Sequence, residues 1–169
     1  MVDAARKLTS IGAEGIMLCA NTLHQFADRV EREISPLIHI ATATGKEIKK
    51  QGLSKVGLLG TKYTMEMDFY KDRLKEEGIQ VIIPNADERK YIHSREVDEL
   101  LKGVFTGQSR TGFLKIMNRL HSEGAEGIVL DCTEFPLLIR THDTTLPLLS
   151  TLRIHALAAV DFALENDRS

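Results

Sequence analysis

"GAEGIMLCANT", residues 12–22, returns in altered form as "GAEGIVLDCTE", residues 124–134. Each copy is an apolar run that begins at glycine and leads to one of the two cysteines of the chain. The spacing differs, because Cys19 follows Gly12 by seven residues whereas Cys132 follows Gly124 by eight. The stretch is therefore a degenerate repeat, and it predicts two similar structural units that each present one cysteine.

The composition is typical of a globular protein without a large charge excess. The 169 residues are 43% hydrophobic and 27% charged, which is enough for one domain or two small lobes with a buried core. A net charge of −2 argues against nucleic acid or an anionic membrane as a partner. No apolar run approaches the roughly 18–20 residues of a membrane span, and the N-terminus lacks a signal-peptide core. We therefore expect a cytoplasmic protein, in which cysteines are more often thiols than structural bridges.

Short apolar runs alternate with helical periodicity along the chain. The runs are rich in Val, Ile and Leu, as parallel strands covered on both faces are, and they predict strands at 15–19, 37–40, 55–60, 80–84, 127–132 and 145–150. A helical stripe covers 21–34, and another helix is predicted to begin at a Thr64 cap. The pattern predicts an α/β fold with parallel sheets flanked by helices, in two pseudo-symmetric lobes around a cleft. We assign residues 1–54 and 147–169 to the first lobe and 55–146 to the second.

Each cysteine lies where a strand ends and the chain turns toward a helix. Ligands bind at this edge of open α/β sheets, and the positive potential of a helix N-terminus lowers a thiol pKa and attracts carboxylates. Two thiols on opposite sides of a cleft can invert a carbon centre, because one removes a proton and the other returns one. Two further interpretations stay open. The thiols could only fill space, or they could form a disulfide, which needs Cα atoms within about 7 Å.

Other motifs give little support for a competing site. The six histidines show no HxxxH pattern and the cysteines no CxxC pattern, so we expect no metal. "GLLGTKYT", residues 57–64, is neither a GxGxxG nor a Walker motif, which argues against a nucleotide site. The cysteine pair therefore remains the strongest indication of function.

Five motifs spread over nearly the whole chain carry a resemblance to a known family. They are "CANTLH" (19–24), "GLLGTKYTM" (57–65), "FYKDRL" (69–74), "CTEFPLL" (132–138) and "RIHALAAVDFAL" (153–164). They resemble the aspartate/glutamate racemase family, the cofactor-independent amino-acid racemases, and the aspartate branch more closely than hydantoin racemases or maleate isomerases. The resemblance implies two α/β lobes with a small amino acid, aspartate or glutamate, between them. It also implies a homodimer and racemisation without pyridoxal phosphate.

The resemblance also implies a set of site residues. Cys19 and Cys132 would be the acid and base of a two-base reaction. The other implied residues would bind the substrate: Asn21, Thr22, Thr64, Lys102 and Thr133. The position of Glu134 beside the second thiol adds it to the candidate set. Lys102 would approach the substrate carboxylate, and Glu134 could orient a group or carry a proton.

Two departures from the family pattern define an alternative hypothesis. Family members begin with a further strand, a glycine-rich loop and a helix, whereas eighteen residues precede Cys19 here, so we expect the first lobe to be incomplete at its N-terminus. Ser150 and Leu152 stand where the family usually shows Asp and Thr. The favoured function is aspartate racemisation. The alternative is a catalytically impaired homologue that binds a ligand or serves as a subunit.

Overall fold

The computed structural model describes residues 1–34 and 36–166, in which strands and helices alternate. The strands are β1 Ile16–Met17, β2 Leu37–Ile38, β3 Lys55–Leu59, β4 Gln80–Ile82, β5 Gly127–Leu130 and β6 Leu148–Ser150. The helices are α1 Val2–Ser10, α2 Ala27–Glu33, α3 Ile40–Lys50, α4 Lys62–Glu66, α5 Asp68–Glu76, α6 Ala86–Asp98, α7 Gly107–Ser122, α8 Phe135–Leu138 and α9 Thr151–Asn166, with short 3₁₀ helices at Asn21–Phe26, Leu100–Lys102 and Thr141–Asp143. Each strand lies inside a predicted apolar run. No helix in the described ranges has the length and apolar character that crossing a bilayer requires.

The strands form two sheets, and every strand pairing is parallel. β1 pairs with β2, and the larger sheet has the order β4-β3-β5-β6. At its centre Val56 lies opposite Gly127 and Leu59 opposite Leu130. The predicted α/β class with parallel sheets is confirmed. Because the strands of a sheet run in one direction, their carboxyl ends meet at one edge, where ligands bind.

Alternate side chains of β3 and β5 fill two cores on opposite faces of the larger sheet. Leu59, Ile128 and Leu130 pack with α6, α7 and α8, whereas Leu58 and Val129 pack with α3 and α5. Each of these five side chains is at most 1% exposed. The central strands are thus buried on both faces, which explains why their sequences are almost continuously apolar.

The sequence repeat is also a structural repeat. Gly12 and Gly124 follow α1 and α7 with φ angles of 100° and 97°, a conformation that glycine adopts without steric cost. The next amide in each copy, that of Ala13 or Ala125, donates to a carbonyl near the end of the preceding helix at 3.0 Å. Both copies therefore turn in the same way from a helix into the strand that leads to a cysteine.

Two helices cross between the sheets. α3 follows β2 in the chain but packs on the larger sheet through its buried residues Ile40, Ala41 and Ile48. α9 follows β6 but contacts β2 and packs against α3, and Phe162 of α9 lies against Gly15. The predicted first lobe, 1–54 and 147–169, therefore includes α3 and β6, which lie with the larger sheet. The lobe boundaries after residues 54 and 146 stay predictions, and residues 35 and 167–169 of the predicted first lobe lie outside the described residues.

Two local predictions were wrong at the level of single residues. The helix predicted to begin at a Thr64 cap begins earlier, because Thr61 is the N-cap and accepts a hydrogen bond from the Thr64 amide at 3.3 Å. In the stripe predicted over 21–34, Val30 is 1% exposed but Phe26 is 50% exposed. The first part of that stripe is a 3₁₀ helix, whose three residues per turn shift the apolar side chains out of phase.

Candidate functional site

The carboxyl ends of strands from both sheets converge on one cleft. Cys19 follows β1, Thr61 follows β3 and Cys132 follows β5, and all three line a cleft of about 260 Å³. Other lining residues include Asn21, Thr22, Asp131, Thr133, Leu152 and His155. A larger groove of about 500 Å³ lies between α3 and α9, but neither cysteine lines it. The smaller cleft is the candidate site, because it joins both thiols to polar groups at strand ends.

The two thiols are both free, and they differ in exposure. Cys19 is exposed, whereas Cys132 is only 9% exposed. The sulfur of Cys132 lies 2.9 Å from Oε2 of Glu134 and 3.4 Å from Oε1 of Glu96. The Thr133 hydroxyl donates to the same Glu134 oxygen at 2.6 Å. The disulfide interpretation is therefore wrong for this structure, and Cys132 lies between two carboxylates.

These surroundings raise the pKa of the Cys132 thiol. Burial is the main cause, the hydrogen bond to the Glu134 carboxylate adds to it, and the negative charge of Glu96 acts in the same direction. The sequence predicted a lowered thiol pKa from a helix N-terminus. That prediction was wrong for Cys132, because α8 has only four residues and two carboxylates face the sulfur. Cys132 therefore rests as a neutral thiol.

Asn21 joins the two cysteine loops. Its Nδ2 donates to the backbone carbonyl of Asp131 and, at 3.0 Å, to Oγ1 of Thr151. The Thr151 hydroxyl, which is 1% exposed, donates in turn to the carbonyl of Leu130 at 3.2 Å. Both amide hydrogens of Asn21 are thus used. Its Oδ1 has no hydrogen-bond partner in the described part of the chain, so Asn21 can offer a ligand only an acceptor.

A chain of hydroxyl groups links the first cysteine loop to the loop after β3. Oγ1 of Thr22 lies 3.3 Å from Oγ1 of Thr61, which lies 3.1 Å from Oγ1 of Thr64. Thr22 and Thr61 line the cleft, whereas Thr64 does not and is fully buried. Thr64 therefore acts on the cleft through Thr61. Sequence reasoning missed Thr61, although its place directly after β3 was an available signal.

Asp131 is a buried carboxyl group beside Cys132. It is 2% exposed, and neither carboxylate oxygen makes a hydrogen bond of normal geometry within residues 1–34 and 36–166. Burial raises the pKa of Asp131 to about 7, although the nearby Thr64 hydroxyl and Thr61 amide oppose this effect. Gly60 makes room for the group, because a Cβ atom there would lie 2.6 Å from Oδ2 of Asp131.

Three buried histidines, His24, His39 and His155, lie together beside the first cysteine loop. The ring centroid of His24 is 4.6 Å from that of His39 and 5.6 Å from that of His155. Nδ1 of His24 is 3.0 Å from the Ala20 carbonyl, and its Nε2 accepts from the Ile40 amide at 3.2 Å, which fixes a neutral tautomer. Burial lowers the pKa of His24 to about 4 and that of His39 to about 3. The described residues contain no group of three side chains placed to hold a metal.

Comparison with known proteins places this fold and cleft in a family. The family model for Asp/Glu/Hydantoin racemase matches residues 1–159. The chain belongs to this racemase family. An Asp/Glu racemase candidate from Yersinia pestis is 42% identical with a TM-score of 0.93, and the alignment covers 96% of this chain and 72% of that one. An aspartate racemase homologue from Pyrococcus horikoshii OT3 is 36% identical with a TM-score of 0.89 and the same coverage.

The curated relatives of the racemase family agree with this assignment. The broad specificity amino-acid racemase RacX of Bacillus subtilis is 25% identical over 155 residues, which cover 89% of this chain and 65% of RacX. The chain thus spans about two thirds of the length of RacX. The resemblance to the aspartate/glutamate racemases is confirmed, and so is the α/β architecture with parallel sheets flanked by helices.

The cleft of this racemase-family chain brings together most of the site residues predicted from sequence, whose roles stay predictions. Those that line it are Cys19, Asn21, Thr22, Cys132 and Thr133. Lys102 lies in the 3₁₀ helix after α6, where it is exposed and outside the cleft lining. Sequence reasoning missed Glu96, because tertiary packing brings it to Cys132 from 36 residues away. Asp131 did carry a signal, since it is an acidic residue at the end of an apolar run.

Proposed function

We propose that this chain is an amino-acid racemase whose acid and base are Cys19 and Cys132. The observation that carries the proposal is that both free thiols line one cleft of about 260 Å³. Ligand pockets for drug-sized molecules begin at roughly 300 Å³, so a cleft of this size suits a small amino acid. The family membership supports the same reaction.

The proposed reaction is a two-base proton transfer without pyridoxal phosphate. One cysteine, as thiolate, removes the α-proton, and the other, as thiol, protonates the opposite face of the carbanion. Because burial, together with the carboxylates of Glu134 and Glu96, keeps Cys132 protonated, Cys132 is the proton donor of the resting state and Cys19 the acceptor. The hydroxyls of Thr22 and Thr61 line the cleft, where they can donate to the α-carboxylate and stabilise charge that develops on it, whereas Thr133 donates to Glu134.

We propose aspartate as the substrate, with glutamate as the nearest competitor. The support is the likeness to the aspartate racemase homologue of Pyrococcus horikoshii and the aspartate-type motifs of the sequence. Among the described residues, the cleft lining contains neither lysine nor arginine. From sequence, Lys102 is predicted to approach the substrate carboxylate, although it lies outside this lining. Lys102→Ala tests the prediction, because loss of that contact should raise KM for aspartate more than it lowers kcat.

Exchange of the α-proton with solvent is the direct test. Wild-type protein incubated with L- or D-aspartate in D₂O should incorporate α-deuterium, detected by NMR, and should interconvert the enantiomers. Cys19→Ser and Cys132→Ser should each abolish racemisation, because a hydroxyl is a far weaker acid at this position. Thermal melts would show that each variant is folded. Folded wild-type protein that leaves both enantiomers unexchanged would refute the proposal.

A second candidate function is a ligand-binding homologue or subunit without turnover. The observation that favours it is the raised pKa of Cys132, because a thiol held neutral is a poor base. Such a protein would show a higher melting temperature with aspartate but no α-deuterium incorporation. The predicted homodimer is tested in the same preparation by light scattering, which measures molecular mass directly.

A further inference from the structure

Glu96 of α6 is a second buried carboxylate at Cys132. The residue is 5% exposed, and its Oε1 lies 3.4 Å from the sulfur of Cys132. Its other oxygen, Oε2, lies 3.7 Å from Nδ1 of His93, whose side chain is 50% exposed. One carboxylate therefore extends from a buried sulfur to a side chain that is in contact with water.

The proposed reaction creates a need for such a connection. After each turnover one thiol has lost a proton and the other has gained one, so both must be reset before the same enantiomer can react again. Cys19 is exposed and can exchange its proton with water directly. Cys132 is 9% exposed, and an amino acid in the cleft would cover it further. Its proton therefore needs another way to solvent.

Glu134 lies closer to the sulfur but is poorly suited to this task. Burial alone would raise the pKa of Glu134, but the hydrogen bonds from Cys132 and Thr133 outweigh it and lower that pKa. Glu134 therefore remains a charged acceptor that orients the thiol. Within the described part of the chain, Glu96 is the contact of Cys132 that continues to an exposed titratable side chain.

We propose that Glu96 and His93 form the path by which Cys132 exchanges its proton with solvent, a proposal that rests on the racemase function. When Cys132 has protonated the carbanion, the Glu96 carboxylate takes a proton from the His93 imidazolium, passes it to the thiolate and is again a carboxylate. The neutral His93 then takes a proton from water. In the opposite direction the thiol proton passes to the Glu96 carboxylate and leaves through neutral His93.

The path transfers protons alone, and it needs only a small movement. The terminal torsion of glutamate is soft, so the carboxyl group can turn between sulfur and imidazole. Besides Glu96, the titratable group in contact with Cys132 among the described residues is Glu134, and together with burial the two carboxylates make a lasting thiolate unfavourable. Glu96 does not touch the substrate, so it is a positioning residue that acts through Cys132.

Turnover measurements test the path in the full-length chain. Glu96→Gln keeps the size of the side chain but cannot carry a proton, so we expect kcat to fall at least about tenfold with KM unchanged. His93→Gln, at an exposed position, should lower kcat less, and imidazole in the buffer should restore it. The matched control is His142→Gln, because His142 is an exposed histidine beside Asp143. This variant should keep the wild-type kcat, and imidazole should not change it. Wild-type kcat in Glu96→Gln, or a loss in His93→Gln that imidazole does not restore, would overturn the proposal.

Alkylation of Cys132 tests the same contact without relying on racemisation. In a Cys19→Ser background, iodoacetamide reports Cys132 alone. Removal of the Glu96 charge should lower the apparent thiol pKa by about one unit and speed alkylation at pH 8 about tenfold. An unchanged pH profile in folded Glu96→Gln would overturn the proposal. A shifted profile, together with wild-type protein that does not racemise aspartate, would keep the interaction between Glu96 and Cys132 and reject the racemase function.

Discussion

Replacing Asp131 with asparagine should make the protein more stable, and more so at high pH. The pKa of Asp131 is about 7 in the folded chain and 3.8 for an ordinary aspartate. The folded state therefore binds more protons than the unfolded state between these values, and its stability falls as the pH rises. At 1.36 kcal/mol per pH unit, a difference of about 3 in pKa corresponds to an upper limit of about 4 kcal/mol. Between pH 5 and pH 8 the loss is about 2.5 kcal/mol.

The assay is urea unfolding of wild type and Asp131→Asn at pH 5 and pH 8. The free energy of unfolding of Asp131→Asn minus that of wild type should be about 2.5 kcal/mol larger at pH 8 than at pH 5. Other titrating groups, the buried histidines included, cancel in this difference. Asp98→Asn, at an exposed position on α6, is the matched control and should show no such change. A difference between wild type and Asp131→Asn that is equal at both pH values would refute the reasoning.

Three further predictions concern the same cleft. Cys19 should be alkylated by iodoacetamide at least about tenfold faster than Cys132 at pH 8, because Cys132 is buried with a raised pKa; equal labelling by mass spectrometry would contradict this. Asn21→Ala should lower the free energy of unfolding by about 1–3 kcal/mol, measured in urea, because two hydrogen bonds between the cysteine loops are lost. Burial lowers the pKa of His24 to about 4, so neutral His24 contributes about 3 kcal/mol to the free energy of unfolding, which is lost as the pH falls from 6.5 to 4. The melting temperature of His24→Gln should therefore depend less on pH over that range than that of wild type.

The strands and their parallel pairing could be read from local sequence. Runs such as "VGLL" at 56–59 and "GIVL" at 127–130 are buried on both faces, and that burial requires apolar residues at every position. Gly12 and Gly124 marked the turns of the repeat, because positive φ angles favour glycine. Helix phase was less predictable, since the choice between a 3₁₀ and an α-helix after Cys19 depends on packing against the rest of the chain.

The sequence by itself determined the α/β class, the repeated unit and the presence of one cysteine after each repeated strand. These features depend on neighbours in the chain, through apolar periodicity and glycine turns. Only the tertiary structure decided that both thiols line one cleft and that Cys132 lies between Glu134 and Glu96. The buried carboxyl of Asp131 likewise owes its raised pKa to the elements packed around it. Burial and electrostatic interactions depend on distances in space, and a one-dimensional pattern does not contain those distances.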